Sequence, residues 1–462
     1  MKTLYNSKIN GQMISRINTL TMKTKRNILG KGGLIIAMLF VANIALAQYA
    51  PLQYFRYNDK RGINVFETSK TDTVVYDGIK VRVGGDFAMQ FQGLSQSNTL
   101  GNAVDLGTDF NLPTANLNLD VQLYDGVRMH LRTYLSARHH EESWVKGGHL
   151  QIDKLDFIKP GFLEGFMQHA TINIGLDEFN YGDAHFRRTD NARALYNPFV
   201  GNYIMDAFST EAFGSVTYQN NGVIVMLGVT NGKLNQNVTK TATSDNRASF
   251  FGKVGFDKQV NDDLRVRLTG SWYSNHGTTT GTWLYGGDRG GSRYYNIMAV
   301  AANPNATPPV AAQETDFDGR FNARFTKLTA FQINPFIKFN GLEFFGIYEV
   351  AGGSNEFTTP TPDKEGSFTQ IAGELLYRFG STEQYYLGGR YNAINGKMRE
   401  SATEDMKIDR INFGGGWFLT NNIVTKLEYV KQNYKGNAWT GSNARFLGGE
   451  FSGIMIEAAI SF

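Results

Sequence analysis

The feature of this sequence that most constrains its fold is the final segment, FSGIMIEAAISF. Counting back from Phe462, even-numbered positions are apolar and odd-numbered positions are small or charged, with Met455 as the exception: Ile460, Ala458, Ile456 and Ile454 against Ser461, Ala459 and Glu457. This period of two indicates a β-strand with one apolar and one polar face. The edge strand of a soluble β-sandwich and the closing strand of a barrel in lipid both fit the pattern. In a membrane barrel this strand must pair with the first one, because an open sheet edge cannot lie in lipid.

Composition separates these classes only in part. The chain has 462 residues, of which 41% are hydrophobic, and its mean hydropathy of −0.32 excludes a bundle of membrane-spanning helices. A barrel hides its membrane signal by alternation, and the 33 Phe and 22 Tyr are enough for aromatic girdles. The absence of Cys argues against disulfides and thiolate metal sites. The net charge of +4 includes a basic N-terminal segment, so no nucleic-acid partner is expected.

The N-terminal segment has the pattern of a secretory signal peptide. Lys23, Lys25, Arg26 and Lys31 precede an apolar run from Leu34 to Leu46, which closes on Ala45-Leu46-Ala47. We therefore expect residues 1–47 to be a signal peptide, with Met22 as an alternative start of ordinary leader length. Residues 48–78 show no clean periodicity and are expected at the periplasmic side or the pore mouth. Residues 79–462 are expected to form the barrel.

Alternating segments joined by turn residues recur along that third region. The clearest hairpin turns at Asp125-Gly126, where a row of Asn and Asp opposes a row of Arg and His on the polar face. Further turns are expected near Pro160-Gly161, at Asn221-Gly222, about Asn261, at Asn340-Gly341, near Gly380 and at Asn421-Asn422. Seven hairpins, with the first and last strands, predict an all-β transmembrane antiparallel barrel of sixteen strands. Sixteen is an even number, as single-chain bacterial barrels require.

Two of the longer connections are expected to carry function. The third loop, from about Asp177 to Glu211, is charged and aromatic, and the fifth, from about Asn275 to Arg324, is rich in Gly, Asn and Pro. A cluster of opposite charges in the third loop is the predicted pore constriction: Asp183, His185, Arg187, Arg188, Asp190 and Arg193. Such a cluster would place a transverse field across a narrow pore. The alternative is a compact external loop whose charges pair with one another.

Four stretches resemble the outer-membrane porins of the phosphate-selective (porin O and P) type. They are the third loop, GVTNG at Gly228–Gly232, YYLGGRYN at Tyr385–Asn392 and DRINFGGGWFLTNNIVTKLEYV at Asp409–Val430. The resemblance implies a sixteen-stranded barrel, usually a homotrimer, with the third and fifth loops folded toward the lumen. The terminal Phe462 also resembles the assembly signal of outer-membrane barrels, which implies the β-barrel assembly machinery as a partner.

The predicted lumen carries charges of both signs, which argues for weak charge selectivity. The side chains expected there are Asp120, Arg128, His130, Arg132, Arg265, Arg267, Glu374, Arg378, Arg390 and Glu428. The arginine ladder of the phosphate-selective porins cannot be aligned onto them residue by residue. The expected function is passive diffusion of small hydrophilic solutes or ions, including anions such as phosphate, across the bacterial outer membrane, with its lipid as the other partner.

Enzymatic chemistry is not expected from the motifs. The run His139-His140-Glu141-Glu142 lacks the i, i+4 histidine spacing of a zinc protease helix and fits a solvated loop. No Gly-rich phosphate loop follows a parallel strand, so neither a metal nor a cofactor is predicted. An outer-membrane lipase or protease and a structural or adhesin-like barrel are the alternatives to a channel.

Overall fold

The computed structural model describes residues 50–135, 143–188, 193–233, 238, 247–276, 284–286, 290–302, 311–313, 318–354 and 365–462. Within them Pro51–Lys80 and Gly84–Phe462 form one compact unit. The predicted signal peptide, the His139–Glu142 run and Asp190 lie outside the described residues. No helix in the described ranges is long and apolar enough to span a membrane.

The described chain contains sixteen strands in one closed antiparallel sheet, in which each strand pairs with its sequence neighbours and the last pairs with the first. The strands are β1 (Lys80–Ser97), β2 (Asp109–Tyr124), β3 (Val127–Leu135), β4 (Ser143–Ile152), β5 (Ala170–Glu178), β6 (Thr210–Asn220), β7 (Val223–Thr230), β8 (Ser249–Gln259), β9 (Leu264–Asn275), β10 (Lys327–Phe339), β11 (Leu342–Ser354), β12 (Gly366–Phe379), β13 (Tyr385–Lys397), β14 (Met406–Thr420), β15 (Ile423–Lys435) and β16 (Glu450–Ser461). The predicted fold class and strand number are confirmed.

Helical segments are short and lie outside the strands. One α-helical turn, α1 (Glu164–Met167), connects β4 to β5, and 3₁₀ turns occupy Lys60–Gly62, Ala184–Phe186 and Gly441–Phe446. The connection around Pro160-Gly161 is therefore longer than the hairpin turn expected from the sequence, because it contains a helix and folds on its own side chains.

Side chains alternate between lumen and exterior along each strand. On β7 the side chains of Val223, Val225 and Leu227 are 47%, 39% and 63% exposed, whereas those of Ile224 and Met226 are buried. Aromatic rings follow one another on the outer face near the turns of β12 to β14: the ring centroids of Phe379 lie 5.9 Å from Tyr377 and 5.6 Å from Tyr385. An apolar exterior with aromatic belts is what a closed barrel needs in lipid. This architecture confirms the expected location in the bacterial outer membrane.

The seam between β1 and β16 closes the sheet. Pairing runs from Asp86 opposite Ser461 to Ser97 opposite Glu450. Beyond it, Gly85 and Phe462 exchange two backbone hydrogen bonds of 3.2 and 3.0 Å. A Cβ atom at Gly84 would lie 2.6 Å from the carbonyl oxygen of Phe462, so this close approach requires glycine. The alternation predicted for the last strand is confirmed, while the role of Phe462 as an assembly signal stays a prediction.

Candidate solute passage

The segment from 51 to 79 lies across the end of the barrel where the short turns are. Gln53 Nε2 donates to Asp125 Oδ1 at the β2–β3 turn over 2.9 Å, and Lys70 Nζ donates to Asp153 after β4 over 2.7 Å. On the opposite side, the backbone N–H of Lys60 donates to the carbonyl of Asn421 over 2.8 Å. Because short turns face the periplasm in such barrels, this segment spans the periplasmic mouth.

The third loop is described at 179–188 and 193–209, and these parts fold into the lumen. Tyr203, Ile204 and Met205 are buried, and backbone N–H groups of the loop donate to side chains of the far wall. The N–H of Ile204 donates to Asn392 Oδ1 over 2.7 Å, and that of Val200 donates to Glu428 Oε2 over 2.7 Å. Buried backbone donors need such acceptors, so the polar lumen wall of β12 to β15 is built to receive this loop.

Asp183 connects the third loop to the opposite wall. Its carboxylate accepts from Arg267 Nε over 2.7 Å, from Lys253 Nζ over 2.8 Å and from Thr269 Oγ1 over 2.6 Å. Burial alone would raise the pKa of Asp183, but the charges of Arg267 and Lys253 outweigh it and lower the pKa to about 2. The carboxylate is therefore ionised at neutral pH and holds two wall cations.

The two neighbouring arginines of the loop are also buried in ion pairs. Arg188 Nε donates to Asp206 Oδ1 over 2.5 Å within the loop, and its guanidinium lies 4.6 Å from the centre of the Phe208 ring. Arg187 lies 3.4 Å from Glu374 and donates to Asn64. These groups, like Asp183, point at the wall or at the loop itself and not at open space.

The fifth loop occupies 276–326 and fills the same side of the lumen in its described parts. Tyr294 Oη donates to Glu428 Oε1 over 2.7 Å, and Arg293 lies 3.0 Å from Glu457. Arg410 Nη2 donates to the carbonyl of Gly319 over 2.5 Å. Together the third and fifth loops cover the inner face of β8 to β16, which we call the filled side.

The side chains expected to line the lumen on this side do point inward, but loops and the N-terminal segment cover them. At most 5% of each side chain is exposed for the following: Arg267, Glu374, Arg378, Arg390 and Glu428. Arg265 is less buried and donates to the carbonyl of Asn64 over 2.9 Å. These side chains therefore bind the loops and the N-terminal segment that lie inside the barrel.

A cavity remains along β2 to β6, which we call the open side. It measures about 1140 Å³ counted out to its open mouth. The wall contributes Asp120, Arg128, His130 and Arg132 from the predicted set, and the loop contributes His185 and Arg193. Six of the described candidates therefore border this cavity, whereas Asp183, Arg187 and Arg188 of the loop lie on the filled side together with the six lumen candidates of β9 to β15.

The wall of the open side carries the cross-strand charge pairing expected from the sequence. Asp120 opposes His130 and Asn118 opposes Arg132 in the β2–β3 register. His130 Nδ1 lies 2.8 Å from Asp120 Oδ1, and His149 Nδ1 lies 2.8 Å from Asp177 Oδ2. Each wall acid thus has a basic partner at hydrogen-bond distance.

The inner boundary of the cavity comes from the N-terminal segment and the third loop. The guanidinium of Arg56 lies 4.1 Å from the ring centre of Tyr196 and donates to the carbonyls of Phe186 over 2.8 Å and Gly62 over 3.0 Å. Burial and the nearby charge of Lys253 hold the pKa of His185 well below its usual range, so this imidazole is neutral at neutral pH. Positive charge on this boundary comes from arginine.

Sequence reasoning did not single out Arg56 or His149. Arg56 lies in a stretch without periodicity, and His149 follows two glycines in a strand whose pattern is weak. The alternation of His149 and Gln151 with Leu150 and Ile152 was the available signal for the wall. Among the described residues, no cluster of three or more His, Cys, Asp or Glu side chains could hold a metal ion.

Comparison with known proteins gives only distant likenesses. No family model matches this sequence, and no curated protein matches it. Three similar solved structures are the outer-membrane protein OmpT of Vibrio cholerae, the anion-selective porin of Comamonas acidovorans and OprB of Pseudomonas putida. Their identities are 10%, 11% and 10%, covering 84%, 83% and 83% of this chain and 99%, 100% and 94% of theirs, with TM-scores of 0.47, 0.49 and 0.48. At these values the likeness carries no argument about function, and the barrel's own topology defines its fold.

Proposed function

We propose that this chain is a porin-like channel for passive diffusion of small hydrophilic solutes across the outer membrane. The observation that carries the proposal is the cavity along β2 to β6, left between the wall and the described parts of the third loop. Solutes enter from the loop end, pass His185 and Arg193, and leave past Arg56 and Arg128 at the turn end.

The substrate class within this proposal is small ions and polar molecules, with a weak preference for anions such as phosphate. The wall acid Asp177 lies 3.8 Å from Arg132, and Asp120 lies close to Arg128, whereas Arg56 donates to neutral carbonyl oxygens. Arg128 lies 3.6 Å from Asp120 and donates to Gln151. Arginine charge on the boundary is therefore less compensated than carboxylate charge, and a mixed lining keeps the preference weak.

Planar-bilayer recordings test the channel directly. We expect ohmic current steps in symmetric salt and a small reversal potential toward anions in a salt gradient. Replacing Arg56, Arg128 and Arg193 together by Ala should move the reversal potential toward cations, because all three face the cavity. The absence of current steps from correctly folded protein would refute the channel.

A matched control removes three positive charges from the outside of the barrel. Lys258, Lys407 and Lys431 alternate with inward side chains and face away from the lumen. The triple Ala variant should leave the reversal potential unchanged. An equal shift in both triple variants would show that general surface charge and not the cavity sets ion preference.

Two further expectations are part of this proposal. We propose a homotrimer on the family resemblance, and a native mass of one protomer would remove it. We also propose that the barrel is a channel and not an enzyme or an adhesin. Ester or peptide hydrolysis that survives purification and is lost on replacing one Ser or His would overturn this, as would surface binding to a partner in a barrel without conductance.

A further inference from the structure

The connection between β4 and β5 differs from the other connections at the turn end. It has 17 residues, from 153 to 169, whereas the other six in the described chain have two to five. Leu163 adopts a left-handed backbone with φ of 52°, which a bulky residue rarely does, and α1 follows it directly. We call residues 153–169 the hook, because they leave the turn and fold back over the barrel wall.

The hook packs on the outside of the barrel. On β4, His149 and Gln151 line the cavity, so Leu150 and Ile152 face outward, and on β3 and β5 the same alternation turns Val127 and Ala170 outward. Met167 is 3% exposed and packs with Val127, Ile152 and Ala170. Phe166 stacks on Tyr218, which alternates with the lumen-facing Thr217 and Gln219 of β6, with ring centroids 6.1 Å apart. The hook is thus continuous with the lipid-facing surface.

The opposite face of the hook is apolar and uncovered. The exposed fractions are 49% for Phe157, 58% for Ile158, 39% for Phe162, 54% for Leu163 and 45% for Phe166. Charged side chains of Asp156, Lys159 and Glu164 alternate with these residues along the same segment. Aromatic and aliphatic residues interleaved with charges are typical of segments that lie at the boundary between lipid headgroups and acyl chains.

The hook joins the turn end of a wall whose strands just reach across an apolar band. The described parts of β3, β4 and β5 have 9, 10 and 9 residues, and β4 and β5 pair from Gly148–Leu176 to Ile152–Ile172. At about 3.3 Å per residue and a tilt of about 40°, nine or ten residues rise about 23–25 Å, close to the apolar band of about 25 Å in such barrels. The hook therefore lies where the lipid-facing surface of this wall meets the headgroup region.

We propose that the hook inserts into the interfacial region of the phospholipid leaflet at the turn end and there continues the lipid-facing surface of β3 to β6. The occupant of its apolar face is phospholipid. A second copy of the chain would also bury the face, but the continuity of the hook with the outward residues of β3 to β6 favours lipid.

Site-directed spin labelling tests the proposal cleanly, because the chain has no Cys. Phe162→Cys and, separately, Ile158→Cys are labelled with a nitroxide, and the protein is reconstituted in vesicles of phosphatidylethanolamine and phosphatidylglycerol. Leu375→Cys, on an outward side chain 54% exposed, is the lipid-facing control. Ser381→Cys, exposed in the turn between β12 and β13, is the aqueous control at the same end.

We expect the hook labels to resemble the Leu375→Cys label, with relaxation enhanced more by oxygen than by a water-soluble nickel chelate. The Ser381→Cys label should show the reverse. Greater access of the nickel chelate at both hook positions would overturn lipid insertion. Exclusion of both reagents, with spin–spin broadening or cross-linking between hook cysteines, would assign the face to a second copy and overturn the proposal equally.

Discussion

The filled and open sides of the lumen are made of the same residue types but use them differently. On the filled side, Glu428 and Arg410 bind backbone groups of the third and fifth loops and are almost fully buried. On the open side, Asp120 and His130 bind each other and border a cavity. Charged residues inside a barrel therefore do not by themselves indicate a pore lining. Neighbouring strands supply charged partners on both sides, and what distinguishes the filled side is that loop backbone groups bind its wall side chains as well.

We expect the largest effect on channel current from replacing Asp183, which holds the third loop to the wall of the filled side. Asp183→Asn removes one of the two carboxylates that Arg267 and Lys253 share, the other being Glu67, and breaking a buried ion pair costs up to about 3–5 kcal/mol. The third loop should detach, which would make single-channel currents larger and noisier and the loop sensitive to protease.

A half-exposed ion pair provides the control. Glu450 lies 3.3 Å from Lys431 with both side chains well exposed, so Glu450→Gln should cost less than about 1 kcal/mol and leave the current traces unchanged. If Asp183→Asn behaves like Glu450→Gln, the third loop is not held by charge.

We expect low pH to loosen the third loop in the unmutated protein, with a smaller effect on the current than Asp183→Asn has. The pKa of Asp183 is lowered from its usual 3.8 to about 2, so its stabilising charge is fully present above about pH 4 and is lost as the pH falls through 2. A shift of this size is worth at most about 2 kcal/mol. Current noise should rise reversibly between pH 4 and pH 2.

Asp183→Asn separates this titration from others in the lumen. Burial raises the pKa of Glu67, but Arg267 and Lys253 lower it well below its usual value, so the charge of Glu67 is also lost only in acid. In the Asn variant, noise should already be high at neutral pH and change less on acidification. An unchanged acid response would assign it to Glu67 or to other carboxylates.

We expect the smallest effect from removing single arginines, and only an arginine on the open side should change the ion preference. Arg128 borders the cavity, and a unit charge about 8 Å from a permeating ion in water is worth about 0.5 kcal/mol, or roughly a twofold change in permeability ratio. Arg128→Ala should shift the reversal potential by that amount without added noise. Arg410→Ala, on the filled side, should add noise without the shift. Equal shifts from both would mean that the two sides share one solute path.

Strand number and turns could be predicted from the sequence because both depend on neighbouring residues. Alternation determines which face of a strand is apolar. Turn residues such as Asp125-Gly126 or Asn421-Asn422 determine where one strand ends and the next begins. The hook was taken for a turn because Pro160-Gly161 has turn chemistry, while the contact of Met167 with Ile152 and Ala170 needs the folded wall.

The candidate site was predictable only where strands form it. Asp120, Arg128, His130 and Arg132 alternate along one hairpin and were found on the cavity. Inside the third loop, the sequence of the charge cluster does not show which way each side chain points. Asp183 points toward Arg267, which is 84 positions later, and His185 points toward the cavity. Such distant partners carry no local pattern.

The segment across the periplasmic mouth has a consequence for the order of folding. Lys60 binds the carbonyl of Asn421, and Asn58 accepts from the hydroxyl of Ser461, so the earliest part of the barrel unit is completed by its last hairpin. Contacts between such distant positions form slowly, because a very long stretch of chain must be ordered first. The part of the segment around Asn58 and Lys60 can therefore attach only once the last strands are in place, and its arrival would mark a finished barrel.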